Sequence, residues 1–169
     1  MKTTPVANSD EAQFVTLGIE QETFAVPVET VREILDMRPM FRIPEAPAHV
    51  AGLIDMRGQA VPVIDLRVKL GLPAMPPTGT TRILVLDVPM PGRRLALGLI
   101  ADRVFEVASI ERGMIAPPPD IGSGWRCDYI HGVARRGDRL VVIFDLSRLL
   151  SSDDATLLAS RTLTEALPA

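Results

Sequence analysis

Residues 52–66 are Gly52-Leu-Ile-Asp-Met-Arg57-Gly58-Gln-Ala-Val-Pro-Val-Ile-Asp65-Leu66, and residues 132–146 repeat the pattern as Gly132-Val-Ala-Arg-Arg136-Gly137-Asp-Arg-Leu-Val-Val-Ile-Phe-Asp145-Leu146. The first glycine and the aspartate keep the same spacing in both copies, and only the Arg-Gly pair shifts, by one position. Each copy predicts a strand, a tight turn, a second strand and a short helix that begins at the aspartate. A duplicated β-hairpin indicates two similar β-units within one domain.

The sequence on either side of the repeat predicts further short strands, at residues 14–19, 23–28, 82–88, 94–101 and 104–110. The segment 89–92 is predicted as a turn. Apolar residues at 28, 31, 34 and 35 have helical spacing and predict a helix there. A last helix is predicted from Ser152 toward Leu163, because a serine followed by acidic residues favours a helix start. Together, these predicted elements indicate an all-β protein built of small barrels with short helices.

Composition excludes several classes of protein. The chain has 169 residues, a formal net charge of −3 and dispersed basic residues, which disfavours binding to nucleic acid. Its single cysteine, Cys127, excludes an internal disulfide and fits a reducing compartment. Residues 1–10 lack the apolar segment of an export signal, and no apolar run is long enough to insert in a membrane. We therefore expect a cytoplasmic protein.

Two groups of residues invite a catalytic or metal-binding interpretation. Cys127, Asp128 and His131 lie close in sequence, but a zinc site needs about four ligands, and a packed cysteine with a loop histidine is the favoured interpretation. Asp65 and Asp145 each stand where a strand becomes a helix, so capping explains both. We expect no catalytic residue, no cofactor and no metal. The alternative, an enzyme that uses Cys127 and His131, predicts a reactive thiol of low pKa.

The sequence resembles the CheW family of bacterial chemotaxis coupling proteins. The resemblance covers roughly residues 14–160, and it is carried by these stretches: Gly52-Leu-Ile-Asp-Met-Arg57-Gly58, Val61-Pro-Val-Ile-Asp65-Leu-Arg67, Ile83-Leu-Val-Leu, Leu97 to Asp102, and Tyr129-Ile-His-Gly132 through Leu150. It implies two five-stranded SH3-like β-barrels that share a core. The predicted organisation is a disordered N-terminus at 1–12, a CheW-like domain at 13–160 and a C-terminal tail at 161–169.

The resemblance also implies a function. Members of the family are non-catalytic adaptors that couple the regulatory domain of the histidine kinase CheA to the cytoplasmic tips of methyl-accepting chemotaxis receptors. The receptor tip is a helical hairpin that docks in a groove between the barrels. The protein is then cytoplasmic and recruited to membrane receptor arrays. An alternative is a CheW-like scaffold of a non-flagellar chemosensory pathway that controls surface behaviour, twitching or a second messenger. The chain ends at Ala169 without a receiver domain, which argues against CheV proteins.

The family's partner-binding positions correspond in this sequence to eight residues: Val31, Glu33, Gly52, Asp55, Arg57, Gly58, Ile83 and Gly98. The family often has Asn-Leu-Arg-Gly where this chain has Asp55-Met56-Arg57-Gly58. The aspartate adds a negative charge beside Arg57, and we expect the two to pair. The resemblance leaves unexplained the proline-rich loop from Met114 to Trp125, where Trp125 is either a partner contact or part of the loop's own packing.

Overall fold

Ten short strands form the protein, as the computed structural model shows for residues 10–118 and 129–150, which are the residues it describes. The strands are β1 (Glu11–Ile19), β2 (Glu22–Pro27), β3 (Val31–Asp36), β4 (Val50–Met56), β5 (Gln59–Asp65), β6 (Arg82–Met90), β7 (Arg93–Ala101), β8 (Arg103–Glu111), β9 (Ile130–Arg136) and β10 (Arg139–Phe144). Two single-turn helices follow β5 and β10, namely α1 (Leu66–Lys69) and α2 (Leu146–Leu149), and 3-10 turns lie at Val28–Thr30 and Arg112–Met114.

The strands pair as two curled five-stranded sheets with the same internal plan. Sheet A has the order β8-β1-β2-β10-β9 and sheet B the order β3-β6-β7-β5-β4. In each sheet one hairpin joins the other strands through a single parallel pair, β10 with β2 in sheet A and β5 with β7 in sheet B. This confirms the prediction of two similar β-units with one copy of the repeated hairpin in each. Curling protects the sheet edges that a flat sheet of this size exposes.

Both hairpins have a two-residue turn, but the turns differ in type. In the β4–β5 hairpin both central turn residues have positive φ, 54° at Arg57 and 86° at Gly58. In the β9–β10 hairpin only the first central residue does, with φ 61° at Gly137. The first pattern matches a type I′ turn and the second a turn that begins with glycine. The one-residue shift of the Arg-Gly pair is therefore a change of turn type, and it makes Arg136 the last residue of a strand.

The repeated glycines Gly52 and Gly132 stand where another segment crosses the hairpin. Phe41 forms an isolated bridge with Leu53, and Ala116 forms one with Val133. A Cβ atom on Gly52 would lie 2.4 Å from the Phe41 carbonyl oxygen, and one on Gly132 would lie 2.7 Å from the Ala116 carbonyl oxygen. Real Cβ atoms do not approach an oxygen this closely. Only glycine therefore fits at this point of each unit.

The two repeated aspartates cap the short helices, as predicted. The Asp65 carboxylate accepts a hydrogen bond from the backbone N–H of Arg67 at 3.0 Å, and the Asp145 carboxylate accepts one from the N–H of Arg148 at 3.3 Å. Each side chain satisfies one of the free amide groups at a helix start.

Three expectations on element boundaries are wrong. Residues 28–35 form a 3-10 turn and strand β3 instead of a helix, because the free edge of β6 takes Val31–Asp36 as its antiparallel partner. The first strand begins at Glu11, inside the segment expected to be disordered, because Glu11 and Ala12 pair with β8. Strand β6 also continues to Met90, so the turn is confined to residues 91–92. The expected helix from Ser152 and the tail at 161–169 lie outside the described residues.

Apolar side chains form one shared core and a smaller core inside each sheet. The shared core joins β1 and β2 of sheet A to β6 and β7 of sheet B and includes the side chains after β5 and β10. In it, the rings of Phe24 and Phe144 stack with centroids 5.0 Å apart. The core of sheet A consists mainly of Phe14, Ala25, Ile110, Ala134, Val141 and Ile143, and that of sheet B of Ile54, Val61, Val63, Ile83 and Val85. The common core confirms that the two units form a single folded body.

A buried arginine links the two sheets at the point where the chain passes from one to the other. The Arg67 side chain, only 9% exposed, donates to the Asp102 carboxylate at 2.8 Å, to the Pro73 carbonyl at 3.0 Å and to the Glu20 carboxylate. Asp102 in turn accepts a hydrogen bond from the Glu20 N–H at 2.7 Å and donates its own N–H to Gly18 at 3.0 Å. Burial would lower the pKa of the Arg67 guanidinium, but the hydrogen bond to Glu20 and the charge of Asp102 outweigh it, and the pKa rises.

We expect Gly52→Ala and Gly132→Ala each to destabilise the protein by about 2 kcal/mol, because the new methyl group collides with a backbone oxygen. Gly79→Ala is the matched control, since a Cβ atom there meets nothing within 4 Å, and it should change stability by less than about 0.5 kcal/mol. Urea unfolding followed by circular dichroism measures all three. Equal effects at the three positions would show that the close approach is not needed.

We expect Arg67→Met to cost about 2 kcal/mol of unfolding free energy, because it leaves the Asp102 carboxylate, 23% exposed, without its buried cation. This expected loss is smaller than for a fully buried ion pair, because the Glu20 carboxylate is 47% exposed and is hydrated by solvent once Arg67 is removed. Glu20→Gln should cost less than about 1 kcal/mol for the same reason. Chemical denaturation of the two variants beside wild type tests the ranking, and a larger loss for Glu20→Gln would contradict it.

Candidate functional site

Four of the eight predicted site residues meet at the tip of the β4–β5 hairpin. We call this group, Glu33, Asp55, Arg57 and Gly58, the tip site. The Arg57 guanidinium lies 2.7 Å from the Glu33 carboxylate, and its side chain is 77% exposed. Glu33 comes from β3 and Arg57 from the turn after β4, and β3 and β4 are the two edges of sheet B. The ion pair therefore bridges the open edges of this sheet at the protein surface.

Asp55 does not pair with Arg57, which corrects the expectation from the sequence. Its Oδ1 atom instead accepts a hydrogen bond from the backbone N–H of Gly58 at 2.9 Å. The short side chain closes the turn on itself, a common use of aspartate at such positions. The turn directs Arg57 toward Glu33, where an exposed ion pair of this kind contributes less than about 1 kcal/mol to folding. The Arg57 guanidinium still has N–H groups that face solvent.

Val31 adds a half-buried apolar side chain near the tip site. It begins β3, two residues before Glu33, and it packs against the shared core. A shift in the pairing of β3 with β6 falls between Val31 and Glu33. Such irregularities change the direction of neighbouring side chains. Val31 thus connects the surface ion pair to the shared core of the molecule.

The three remaining predicted residues lie in the interior. Ile83 is fully buried, and a Cβ atom on Gly98 would lie 3.1 Å from the side chains of both Ile83 and Val63. Gly52 is buried beneath the crossing segment at Phe41. In this structure these residues shape sheet B from inside. A role for them in partner contact stays a prediction.

The structure describes only some of the residues considered as candidates for chemistry. His131 is exposed on β9, while Cys127 and Asp128 lie outside the described residues. Asp65 serves as a helix cap, and burial, partly offset by hydrogen bonds from the N–H groups of Val68 and Arg67, raises the pKa of its carboxyl group. Within residues 10–118 and 129–150, no three histidine, cysteine, aspartate or glutamate side chains are grouped as metal ligands. No helix in the same ranges is long and apolar enough to cross a membrane.

Sequence reasoning missed the Arg67 network. In the sequence, Arg67 stands out only as part of the motif that follows Asp65, although a charged side chain in the first turn of a buried helix is unusual. Its partners Glu20 and Asp102 are distant in sequence. Nothing in the sequence pattern brings these three together, so only the folded structure reveals them.

Comparison with known proteins agrees with the two-sheet architecture. A family model described as a CheW-like domain matches residues 13–154. The chain belongs to the CheW-like family. A crystal structure of the scaffolding protein TtCheW from Thermoanaerobacter tengcongensis superposes with a TM-score of 0.74 at 27% identity, covering 85% of this chain and 94% of that one. The fold is therefore the pair of SH3-like barrels that the resemblance implied.

Two curated relatives carry the same name. The chemotaxis protein CheW of Treponema pallidum is 30% identical over 92% of this chain and 92% of its own. That of Helicobacter pylori is 32% identical over 86% of each chain. Together with the family match, these relatives support a role as a chemotaxis adaptor or scaffold for this CheW-like protein.

The raised pKa of Asp65 predicts that the stability of wild type changes with pH relative to variants that lack this carboxyl group. Asp65→Ala should lose about 1 kcal/mol of stability, because the cap is removed. Asp65→Asn keeps an oxygen acceptor and has no charge to bury. Since the folded pKa lies above the ordinary value of 3.8, the native state of wild type binds the proton more tightly, and wild-type stability falls as pH rises through this range.

The stability of Asp65→Asn relative to wild type should therefore increase from pH 3.8 toward neutral pH. Urea unfolding of wild type and both variants at a series of pH values measures this difference. A relative gain of wild type as pH rises would contradict a raised pKa.

Proposed function

We propose that this protein is a non-catalytic adaptor that couples a CheA-type histidine kinase to the cytoplasmic tips of methyl-accepting chemotaxis receptors. The observation that carries the proposal is the exposed Arg57–Glu33 pair, placed at the edge of sheet B in a chain that matches the CheW-like family over residues 13–154. Arginine is over-represented among residues that dominate protein–protein binding energies. The proposed location is the cytoplasm, at membrane receptor arrays.

The geometry of the tip site suits a contact surface. Arg57 is 77% exposed, and one of its terminal nitrogens is engaged by Glu33. The remaining N–H groups are free to donate to a partner's carboxylate or carbonyl in the planar arrangement that guanidinium groups favour. Glu33 holds the side chain in place before binding, which reduces the conformational entropy lost when the partner docks.

The buried residues of sheet B support the same surface from inside the protein. Ile83 lies in β6, which pairs with β3, and Gly98 lies in β7 directly beside β6. A larger residue at Gly98 pushes against Ile83 and Val63, whose contacts set the shape of sheet B. We assign partner contact to Val31, Glu33, Asp55, Arg57 and Gly58, and support of that surface to Gly52, Ile83 and Gly98.

An adaptor works by holding two proteins together. When both are bound, the kinase and the receptor meet at an effective concentration set by the complex and no longer by their bulk concentrations. Signal transfer then requires a coupling free energy between the two sites, typically about 1–3 kcal/mol. The common core beneath both sheets provides a packed route between surfaces on sheet A and sheet B.

We expect Arg57→Ala to weaken binding to the receptor-tip fragment or to the kinase regulatory domain by about 2 kcal/mol, a loss of about thirtyfold in affinity. Isothermal titration calorimetry with each cognate fragment measures it. Stability should change by less than about 1 kcal/mol, since the ion pair is exposed. Arg93→Ala, an exposed arginine at the start of β7, is the matched control.

Two results would contradict the proposal. One is unchanged affinity of Arg57→Ala for both fragments, which would remove the tip site from either interface. The other is a folded wild-type protein that binds neither fragment, which would separate the fold from the adaptor role. Loss of affinity in Arg93→Ala equal to that in Arg57→Ala would show a general effect of charge.

A further inference from the structure

Phe41 is the most exposed large apolar side chain among the residues that the structure describes, at 77% exposure. Its backbone is nevertheless fixed. The Phe41 N–H donates to the Leu53 carbonyl and the Phe41 carbonyl accepts from the Leu53 N–H, both at 2.8 Å. The phenyl ring is thus presented to solvent on a backbone that is already ordered, which lowers the entropy lost when a partner covers the ring.

The same backbone arrangement occurs in sheet A without an aromatic ring. There Ala116 crosses the second hairpin, and its N–H and carbonyl are bonded to Val133 at 2.8 and 2.9 Å. Each crossing residue lies against the repeated glycine of its hairpin, Phe41 against Gly52 and Ala116 against Gly132. A methyl group is therefore enough to form this crossing, and the phenyl ring of Phe41 is not needed for it.

The segment around the ring has the composition of a protein interface. Residues 37–43 are Met37-Arg38-Pro39-Met40-Phe41-Arg42-Ile43, without a lysine or an acidic residue. Methionine, arginine and aromatic residues are enriched at the centres of interfaces, whereas lysine and acidic residues are depleted there. Met37 and Met40 pack against the core of sheet B and remain half-buried. Their flexible thioether side chains give this segment an apolar surface that can adapt to a partner.

Phe41 and the tip site lie on the same edge of sheet B. β4 pairs with β5 on one side, and on its free side Leu53 pairs with Phe41. Arg57 follows the end of β4 and binds Glu33 of β3, the other edge strand. We call the free side of β4 from Phe41 to Arg57 the β4 edge. Leu53 and Arg57 are four residues apart in the sequence, so this edge is at most about 13 Å long.

We propose that the β4 edge binds a helix of the receptor tip, with Phe41 as the apolar anchor and Arg57 as the polar one. Both backbone groups of Phe41 are bonded to Leu53, so a partner reaches Phe41 through side chains and not by adding a strand. Residues i and i+7 of a helix share a face and lie about 11 Å apart, which fits the length of this edge. Such a helix places an apolar residue on Phe41 and an oxygen acceptor beside Arg57.

This inference rests on the proposed function and adds to it a contact residue, since Phe41 is not among the eight predicted site residues. It also gives the buried Gly52 a route to the surface. A side chain at position 52 would collide with the Phe41 carbonyl oxygen and displace the ring from the β4 edge. Gly52 is then a positioning residue that acts through Phe41.

The test is isothermal titration calorimetry of the full chain with a helical-hairpin fragment of the cognate receptor tip and with the kinase regulatory domain. Phe41→Ala should bind the receptor fragment about tenfold more weakly, and Phe41→Leu should lose less than about threefold, because it keeps an apolar side chain. Affinity for the kinase domain should change less than about twofold. The urea midpoint of Phe41→Ala should equal that of wild type, since Ala116 takes the same place in sheet A.

Phe105→Ala is the matched control, because it removes an exposed phenyl ring from β8 of sheet A. It should change receptor affinity less than about twofold. Equal losses in Phe41→Ala and Phe105→Ala would overturn the proposal, as would a loss in Phe41→Ala toward the kinase domain alone.

The variant Arg57→Ala separates this inference from the proposed function. If Arg57→Ala loses receptor affinity and Phe41→Ala keeps it, the role of Phe41 is overturned and the adaptor role stands. If Phe41→Ala keeps receptor affinity but abolishes a self-association of wild type in analytical ultracentrifugation, the occupant is a second copy of this chain instead. If folded wild type binds neither fragment, the proposed function and this inference are both overturned.

Discussion

The buried charge of Arg67 is the constraint around which the two sheets are arranged. Its guanidinium group is satisfied by oxygens from three places, the turn after β1, the loop after α1 and the residue between β7 and β8. A cation removed from water is tolerated only when such partners are in place. The position of Asp102 is especially consequential, because the chain leaves sheet B for sheet A at that residue. Arg67 thus sets how the two units meet, and the shared core fills the space between them.

In each sheet, an ion pair also joins the two edge strands. In sheet B the edges are β3 and β4, and Glu33 and Arg57 bridge them; in sheet A they are β8 and β9, and Glu106 and Arg136 do so. Exposed ion pairs add little to stability, so their value is in the surface that they organise. Both pairs present arginine to solvent beside a strand edge. A protein built from a duplicated unit in this way has two comparable surfaces, and their hairpins differ in turn type.

Local chemistry explains why the repeated hairpins and the caps of α1 and α2 were predicted correctly. Positive φ at Gly58 and Gly137 and the capping carboxylates of Asp65 and Asp145 are decided within a few residues. The same reasoning failed for residues 28–35. Apolar side chains at 31, 34 and 35 fit a helix, yet Ile34 is 45% exposed and Glu33 is half-buried against Arg57. Pairing with β6 overrode the local pattern there, as sheet context commonly does.

The sequence by itself determined the two hairpins, their glycines and caps, and the family to which the chain belongs, because these depend on spacing and on residue chemistry over short distances. Tertiary structure decided which charges meet. Glu33 and Arg57 are 24 residues apart, Glu20 and Arg67 are 47 apart, and the bond between Thr16 and Glu106 spans 90. Such pairs form only once each sheet has curled and the two have packed on a common core, and neither the direction of the curl nor the docking is encoded in any short stretch of sequence.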